Sequence, residues 1–162
     1  MSDADQTGLE IVGNLLQEFV NRVSHAQGKT LGVLADASVT LPQVLLLRRV
    51  AAKGESIPSG LAEQMHMSLP AVSQMLDRLF ELGLVSRKES TNDRRKKVIA
   101  ARPEARSLLK RIHKARSADY SAGIASLSPR VRETLALALR DALQELRDPN
   151  EGEVRRSGAS PS

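Results

Sequence analysis

Residues 68–101 read SLPAVSQMLDRLFELGLVSRKESTNDRRKKVIAA, a pattern that predicts one helix followed by a two-stranded hairpin. Ser68 is a side-chain acceptor placed just ahead of Leu69, Val72, Met75, Leu76, Leu79 and Phe80, which recur at helical spacing and form one broad apolar stripe. Pro70 sits in the first turn, where its missing N–H costs no hydrogen bond. Gly83 follows the stripe as a left-handed terminator. The opposite face carries Pro70, Ala71, Ser73, Gln74, Asp77 and Arg78. Residues 84–87 and 97–100 then alternate as two short strands around a charged connection, 88–96, that contains Asn92, Asp93, Arg94 and Arg95.

Working outward, Pro103 opens a long basic helix through Leu108, Leu109, Ile112 and Ala115, extending toward Ile124. Ser128 and Pro129 start a last helix with Val131, Leu135, Leu139, Ala142 or Leu143, and Leu146, stopped by Asp148-Pro149. Upstream, Ser59 caps a brief helix bearing Leu61, Ala62 and Met65, after an extended Ser56-Ile57-Pro58 in which Ile57 adds an edge to the small sheet. Thr40 caps a helix, with Pro42 near its first turn, that carries Leu41, Val44, Leu45, Leu47 and Val50 and ends near Ala52. Residues 29–39 read as a loop with a short helical turn. From Leu9 the spacing of Val12, Leu15, Leu16, Phe19 and Val23 predicts a helix that Gly28 ends or kinks.

The expected architecture is mainly α: a winged helix-turn-helix with a small β-wing, flanked by N- and C-terminal helices that form a dimerisation region. Its segments are an N-terminal helical arm at 1–39, the winged module at 40–101, C-terminal dimerisation helices at 102–148 and a disordered tail at 149–162, which lacks apolar content. The terminal helices are rich in Leu and Val with little else in one chain to bury against, so a second copy is the expected partner. Packing wholly within one chain is the alternative.

At 162 residues the chain is long enough to bury one real core. Leu, Val and Ala dominate, and Phe19, Phe80 and Tyr120 are the only aromatics, too few to stack single-stranded bases. The absence of cysteine excludes disulfides, thiolate metal sites and thiol-based peroxide sensing. No apolar run approaches the ~20 residues of a membrane span. The polar start MSDADQTG is no secretory signal, so a soluble, cytoplasmic protein is expected. The net charge of +5 hides an asymmetry: residues 87–116 hold 12 Lys and Arg against 3 acidic residues, so this segment is +9 and the remainder −4. Such segregation suits a polyanion-facing surface, or a solvated face kept for solubility.

With these elements in order, the chain resembles the MarR family of bacterial transcriptional regulators over about residues 9–146. The resemblance rests on Thr40-Leu41-Pro42-Gln43 with Leu45 and Leu47, on Gly60-Leu61-Ala62, and on Val72-Ser73-Gln74-Met75-Leu76-Asp77-Arg78-Leu79. It continues through Gly83-Leu84-Val85-Ser86-Arg87 to Asn92-Asp93-Arg94-Arg95. It implies a homodimer with interlocked terminal helices, gripping a near-palindromic double-stranded operator. It also implies a small anionic or aromatic effector in the crevice between helical arm and winged module, and repression relieved by that ligand. Family wings carry Asp-x-Arg at the tip, matched here by Asp93 and Arg95, the arginine entering the minor groove and the aspartate orienting it. Many members end the wing in Leu-Thr where this chain has Ala101-Arg102. An arginine cannot cap the next helix, and its charge sits unfavourably at the positive helix start unless it reaches a phosphate.

Candidate DNA contacts follow from chemistry. Ser68, Pro70, Ala71, Ser73 and Gln74 face outward early in the helix: Gln pairs with adenine, Ser with a base or phosphate, and the apolar pair with thymine methyls. Arg78 suits a phosphate or an intramolecular partner. Arg87, Lys88, Arg94, Lys96 and Lys97 are expected phosphate contacts around Asp93 and Arg95. Arg106, Lys110 and Lys114 share one face of the long helix, extending the DNA surface, binding an anionic effector or simply solvated. His25, His66 and His113 lack metal-ligand spacing, and Glu63 with His66 makes only two ligands, so no metal or cofactor is expected. There is no Gly-rich phosphate loop, thiol nucleophile or His–carboxylate cluster, and no catalytic residue is assigned. The rival reading is a winged-helix protein–protein interaction module, which an acidic or apolar wing tip would have favoured.

Overall fold

The computed structural model describes residues 3–24, 27–89 and 97–146. They divide between two compact units, Met1–Gly123 and Ile124–Ser162.

The first unit opens with α1 (Asp3–Val23), which starts six residues before the expected Leu9 and ends at Val23. Gly28 neither ends nor kinks it; it is the N-cap of α2 (Lys29–Asp36). The stretch expected as a loop with a helical turn is thus a helix of eight residues. Its first turn is stabilised from far away in sequence, by Asp119, which is why local pattern did not show it.

In α3 (Leu41–Lys53), the Thr40 N–H donates to Gln43 Oε1 at 2.9 Å, fixing the first turn. The buried face is Val44, Leu46, Leu47 and Val50, whereas Leu41 and Leu45 are 47% and 43% exposed. The expected stripe included Leu45 and passed over Leu46. In a run of leucines the face is set by the packing partners, here centred on Leu47 and Val50, which turns Leu45 outward.

A three-stranded antiparallel sheet follows, ordered β1-β3-β2, from β1 (Glu55–Ser56), β2 (Val85–Glu89) and β3 (Lys97–Ala101). β1 pairs Glu55 with Ala100 and Ser56 with Ile99; β2 pairs Val85 with Ala101 through to Glu89 with Lys97. Ile57 is not an edge residue. It is the N-cap of α4 (Pro58–Met65) and 44% exposed, because Pro58 starts the helix and ends the pairing; Ser59 lies inside that helix rather than capping it.

Between α4 and β2 runs α5 (Leu69–Glu81), terminated through Leu82 and Gly83, the latter at φ 70°. After β3, α6 (Pro103–Gly123) begins. The Arg102 N–H donates to the Leu84 carbonyl at 3.0 Å, and the Arg102 carbonyl accepts the first helical bonds from Ala105 and Arg106. An Arg102 guanidinium nitrogen lies beside Gly83, 3.8 Å from where a Cβ would stand. Leu46, Leu47, Val50, Leu61, Val72, Leu76, Leu79, Val85 and Ile99, each 2% exposed or less, form the core that holds α5 against the sheet. Each such aliphatic side chain contributes about 1.5–3 kcal/mol of burial.

The second unit's described element is α7 (Pro129–Glu145), whose N-cap Ser128 Oγ accepts from the Val131 N–H at 3.4 Å. None of its residues is buried; Leu137, Leu139 and Leu143 are 51%, 46% and 62% exposed. Its stop at Asp148-Pro149 and the tail lie outside the described residues.

Candidate nucleic-acid interface

Ser68 starts α5 by accepting the Ala71 N–H on its Oγ at 3.4 Å. Val72, Leu76 and Leu79, at 1% exposure or less, then anchor one side of the helix. The far side is therefore open: Ser68, Pro70 and Gln74 are exposed, with Ala71 and Ser73 half-buried at its flanks. The first half of α5 so presents the small and polar residues expected to read base edges. Leu69 and Phe80, placed in the stripe from the sequence, are 47% and 48% exposed and lie at its margin.

The second half of the open side is acidic, and each carboxylate there has a guanidinium. Arg78 Nη1 lies 3.1 Å from Glu81 Oε2. Arg87, on β2, hydrogen-bonds Asp77 and stands over the Phe80 ring, its guanidinium carbon 5.2 Å from the ring centroid. Bare carboxylates would be repelled by a polyanion, and this matching leaves the open side without one at Asp77 or Glu81. Arg78, expected to meet a phosphate or an intramolecular partner, and Arg87, expected as a phosphate contact, thus both have partners within the chain. Lys88 is exposed next to Arg87. Lys97 is in register with Glu89. Asp93, Arg94, Arg95 and Lys96 lie outside the described residues. Arg106, Lys110 and Lys114 are all exposed on α6. Among the described residues no three His, Cys, Asp or Glu side chains converge as a metal site, and no single helix is long and apolar enough to cross a membrane.

Residues 39–97, from the start of α3 to the start of β3, match the model of the MarR family. Solved structures show the same fold over most of the chain. The YusO protein from Bacillus subtilis is 24% identical with a TM-score of 0.64, covering 88% of this chain and 99% of that one. The reduced form of MarR from E. coli is 20% identical with a TM-score of 0.62, covering 81% and 95%. RV1404 from Mycobacterium tuberculosis is 20% identical with a TM-score of 0.60, covering 91% and 97%. No curated protein matches the chain in sequence.

Outside the matched segment, sequence reasoning missed the residue that ties the arm to α6. Asp119 is 0% exposed. Its carboxylate accepts the Thr30 N–H at 2.9 Å, the Thr30 hydroxyl at 2.8 Å and the Lys29 N–H at 3.1 Å. Its pKa is held below the usual carboxylate range, chiefly by the Thr30 backbone N–H. Burial opposes this, and the Thr30 hydroxyl, the Lys29 N–H and the Lys29 charge add to the lowering. The readable sign was an aspartate in register with Ile112 and Ala115 on an otherwise apolar stripe. Also missed was the pairing of Asp77 with Arg87, ten residues apart across the helix–strand turn.

Proposed function

We propose that this chain is a sequence-specific, double-stranded-DNA-binding transcriptional regulator, acting as a homodimeric repressor that a small anionic or aromatic ligand releases. One observation carries the reading. The segment that matches the MarR family presents the open N-terminal half of a capped helix, with Ser68, Pro70, Ala71, Ser73 and Gln74, directly beside the base of a two-stranded wing. A helix of this width fits the major groove, and the wing's basic connection, with Arg94, Arg95 and Lys96, suits the adjacent minor groove and backbone.

Two further features support the finer parts. Leu9, Ile11, Val12, Leu15 and Leu16 on α1 are each more than half exposed, an apolar face suited to a second copy. A two-fold dimer would set its reading helices one duplex turn apart, roughly 34 Å. A cavity of about 420 Å³ lies among Ala37, Leu82, Leu84, Pro103, Glu104 and Arg111, between the end of α2, the α5–β2 turn and the start of α6. Its walls join apolar side chains to the Glu104 carboxylate and the Arg111 guanidinium, and a small aromatic ligand there would touch both the arm and the turn that orients the reading helix.

Selection from a pool of random-sequence duplexes tests the reading. The expected result is enrichment of one near-palindromic site, bound at two chains per duplex with affinity falling steeply as salt rises. Equal binding of selected and scrambled duplexes would sink it.

A further inference from the structure

The Asp77–Arg87–Phe80 cluster has a role that contact with DNA does not require. Arg87 sits on the third residue of β2, and both its partners sit on α5, one turn apart. Its Nη2 hydrogen-bonds the Asp77 carboxylate and its Cζ stands over the Phe80 ring. Those two contacts use different parts of the group, so together they fix its position and orientation. Between α5 and β2 the chain turns through Leu82, Gly83 and Leu84, and Leu84 is buried only at the root of the hairpin. The cluster is thus a side-chain brace across the open side of that turn. Phe80 is left half-exposed by the core, which is what makes it available as a platform.

We infer that Arg87 is a positioning residue, held by Asp77 and Phe80 as a strut that sets the angle between the reading helix and the wing, rather than a phosphate contact. This rests on the DNA-binding reading above. It makes a prediction opposite in sign to simple electrostatics. Removing the Asp77 carboxylate from a surface that faces a polyanion should tighten binding if charge alone matters. If the strut matters, removal loosens the wing and weakens binding to the selected site.

The test compares the full chain with Asp77→Ala, Arg87→Ala, Arg87→Lys and the Asp77→Ala/Arg87→Ala double variant. The probes are a duplex selected by the wild-type protein and a scrambled duplex of equal length. Both residues are substantially exposed, Asp77 at 57% and Arg87 at 41% of their side chains, so the variants retain the core. For the strut, Asp77→Ala loses on the order of three- to ten-fold in affinity for the selected duplex and little for the scrambled one. The double variant is then no weaker than Arg87→Ala, Arg87→Lys is as weak as Arg87→Ala, and all keep the wild-type salt slope. A phosphate contact gives the reverse: Arg87→Ala flattens the slope by about 0.9, Arg87→Lys preserves affinity, and Asp77→Ala binds as well or better. Those results would overturn the inference. Hydrogen exchange without DNA separates it from the reading beneath it. Exchange at residues 85–88 that is faster in Asp77→Ala and Arg87→Ala alike upholds the brace even if no duplex is selected, whereas unchanged exchange overturns it.

Discussion

The Thr30 N–H donates to Asp119 Oδ2 at 2.9 Å, so a residue near the end of α6 caps a helix that begins 90 positions earlier. With the Lys29 N–H and the Thr30 hydroxyl on the same carboxylate, three donors at the positive end of α2 converge on one buried anion. This junction ties the N-terminal arm to α6, and α6 leads back to the wing root at Arg102.

Replacing Asp119 by Ala leaves those partly buried donors without their acceptor. The expected outcome is a loss of thermal stability on the order of 5 °C or more, with faster amide exchange concentrated in α2. A calorimetric scan and an exchange map check both parts. A melting temperature unchanged from wild type would show that α2 does not need the cap.

The same carboxylate makes stability depend on pH. Its folded-state pKa is depressed, so its stabilising contribution is fully present above the ordinary aspartate value of about 3.9. It declines as the pH falls below that value and is gone once the pH passes beneath the depressed one. The stability gap between wild type and Asp119→Asn, measured by denaturant titration, is expected to be constant from pH 5 to about pH 7 and to narrow below about pH 4. A gap that widened on acidification would contradict the assignment.

Gly123 meets α1 where no side chain fits: a Cβ there would stand 2.6 Å from Val23 Cα and 2.8 Å from its carbonyl oxygen. Backbone on both sides cannot move aside as a flexible side chain would. Gly123→Ala is therefore expected to destabilise by about 1–3 kcal/mol despite the higher helix propensity of alanine. Chemical denaturation measures this directly.

The two leucines at 45 and 46 separate core from surface. Leu46→Ala is expected to cost about 2–5 kcal/mol, since its side chain is 0% exposed. Leu45→Ala, at 43% exposure, is expected to stay within about 0.5 kcal/mol. Equal losses at the two positions would mean that α3 is rotated.

On the proposed dimer, Val12→Glu with Leu16→Glu places charge on the exposed face of α1. Sedimentation equilibrium is expected to show a single chain at micromolar concentration, with at least a ten-fold loss of affinity for the selected duplex. On the proposed reading helix, Gln74→Ala is expected to cost about 1–3 kcal/mol and relax specificity at one base pair. By contrast, Lys96→Ala should flatten the salt slope without changing sequence preference. Titrations at several salt concentrations distinguish these outcomes.

How much of this was legible depends on where each signal lies. Helix α5 announced itself through Ser68, Pro70, the stripe ending at Leu79 and Gly83, all within 16 residues. The wing strands were readable from alternation, and the last helix from Ser128-Pro129. These are local periodicities and caps, whose physics involves residues a turn or two apart, so a linear string contains them whole. What could not be read involves partners distant along the chain or competing equally nearby. α2 is a helix because Asp119 caps it, and α3 faces inward through Leu46 because the sheet and α6 lie on that side. Arg87 is held across a turn by Asp77 and Phe80 because β2 folds back beside α5. Periodicity specifies that a helix has an apolar side; which residue at the margin is buried, and which charge finds a mate, depends on the neighbours that folding delivers.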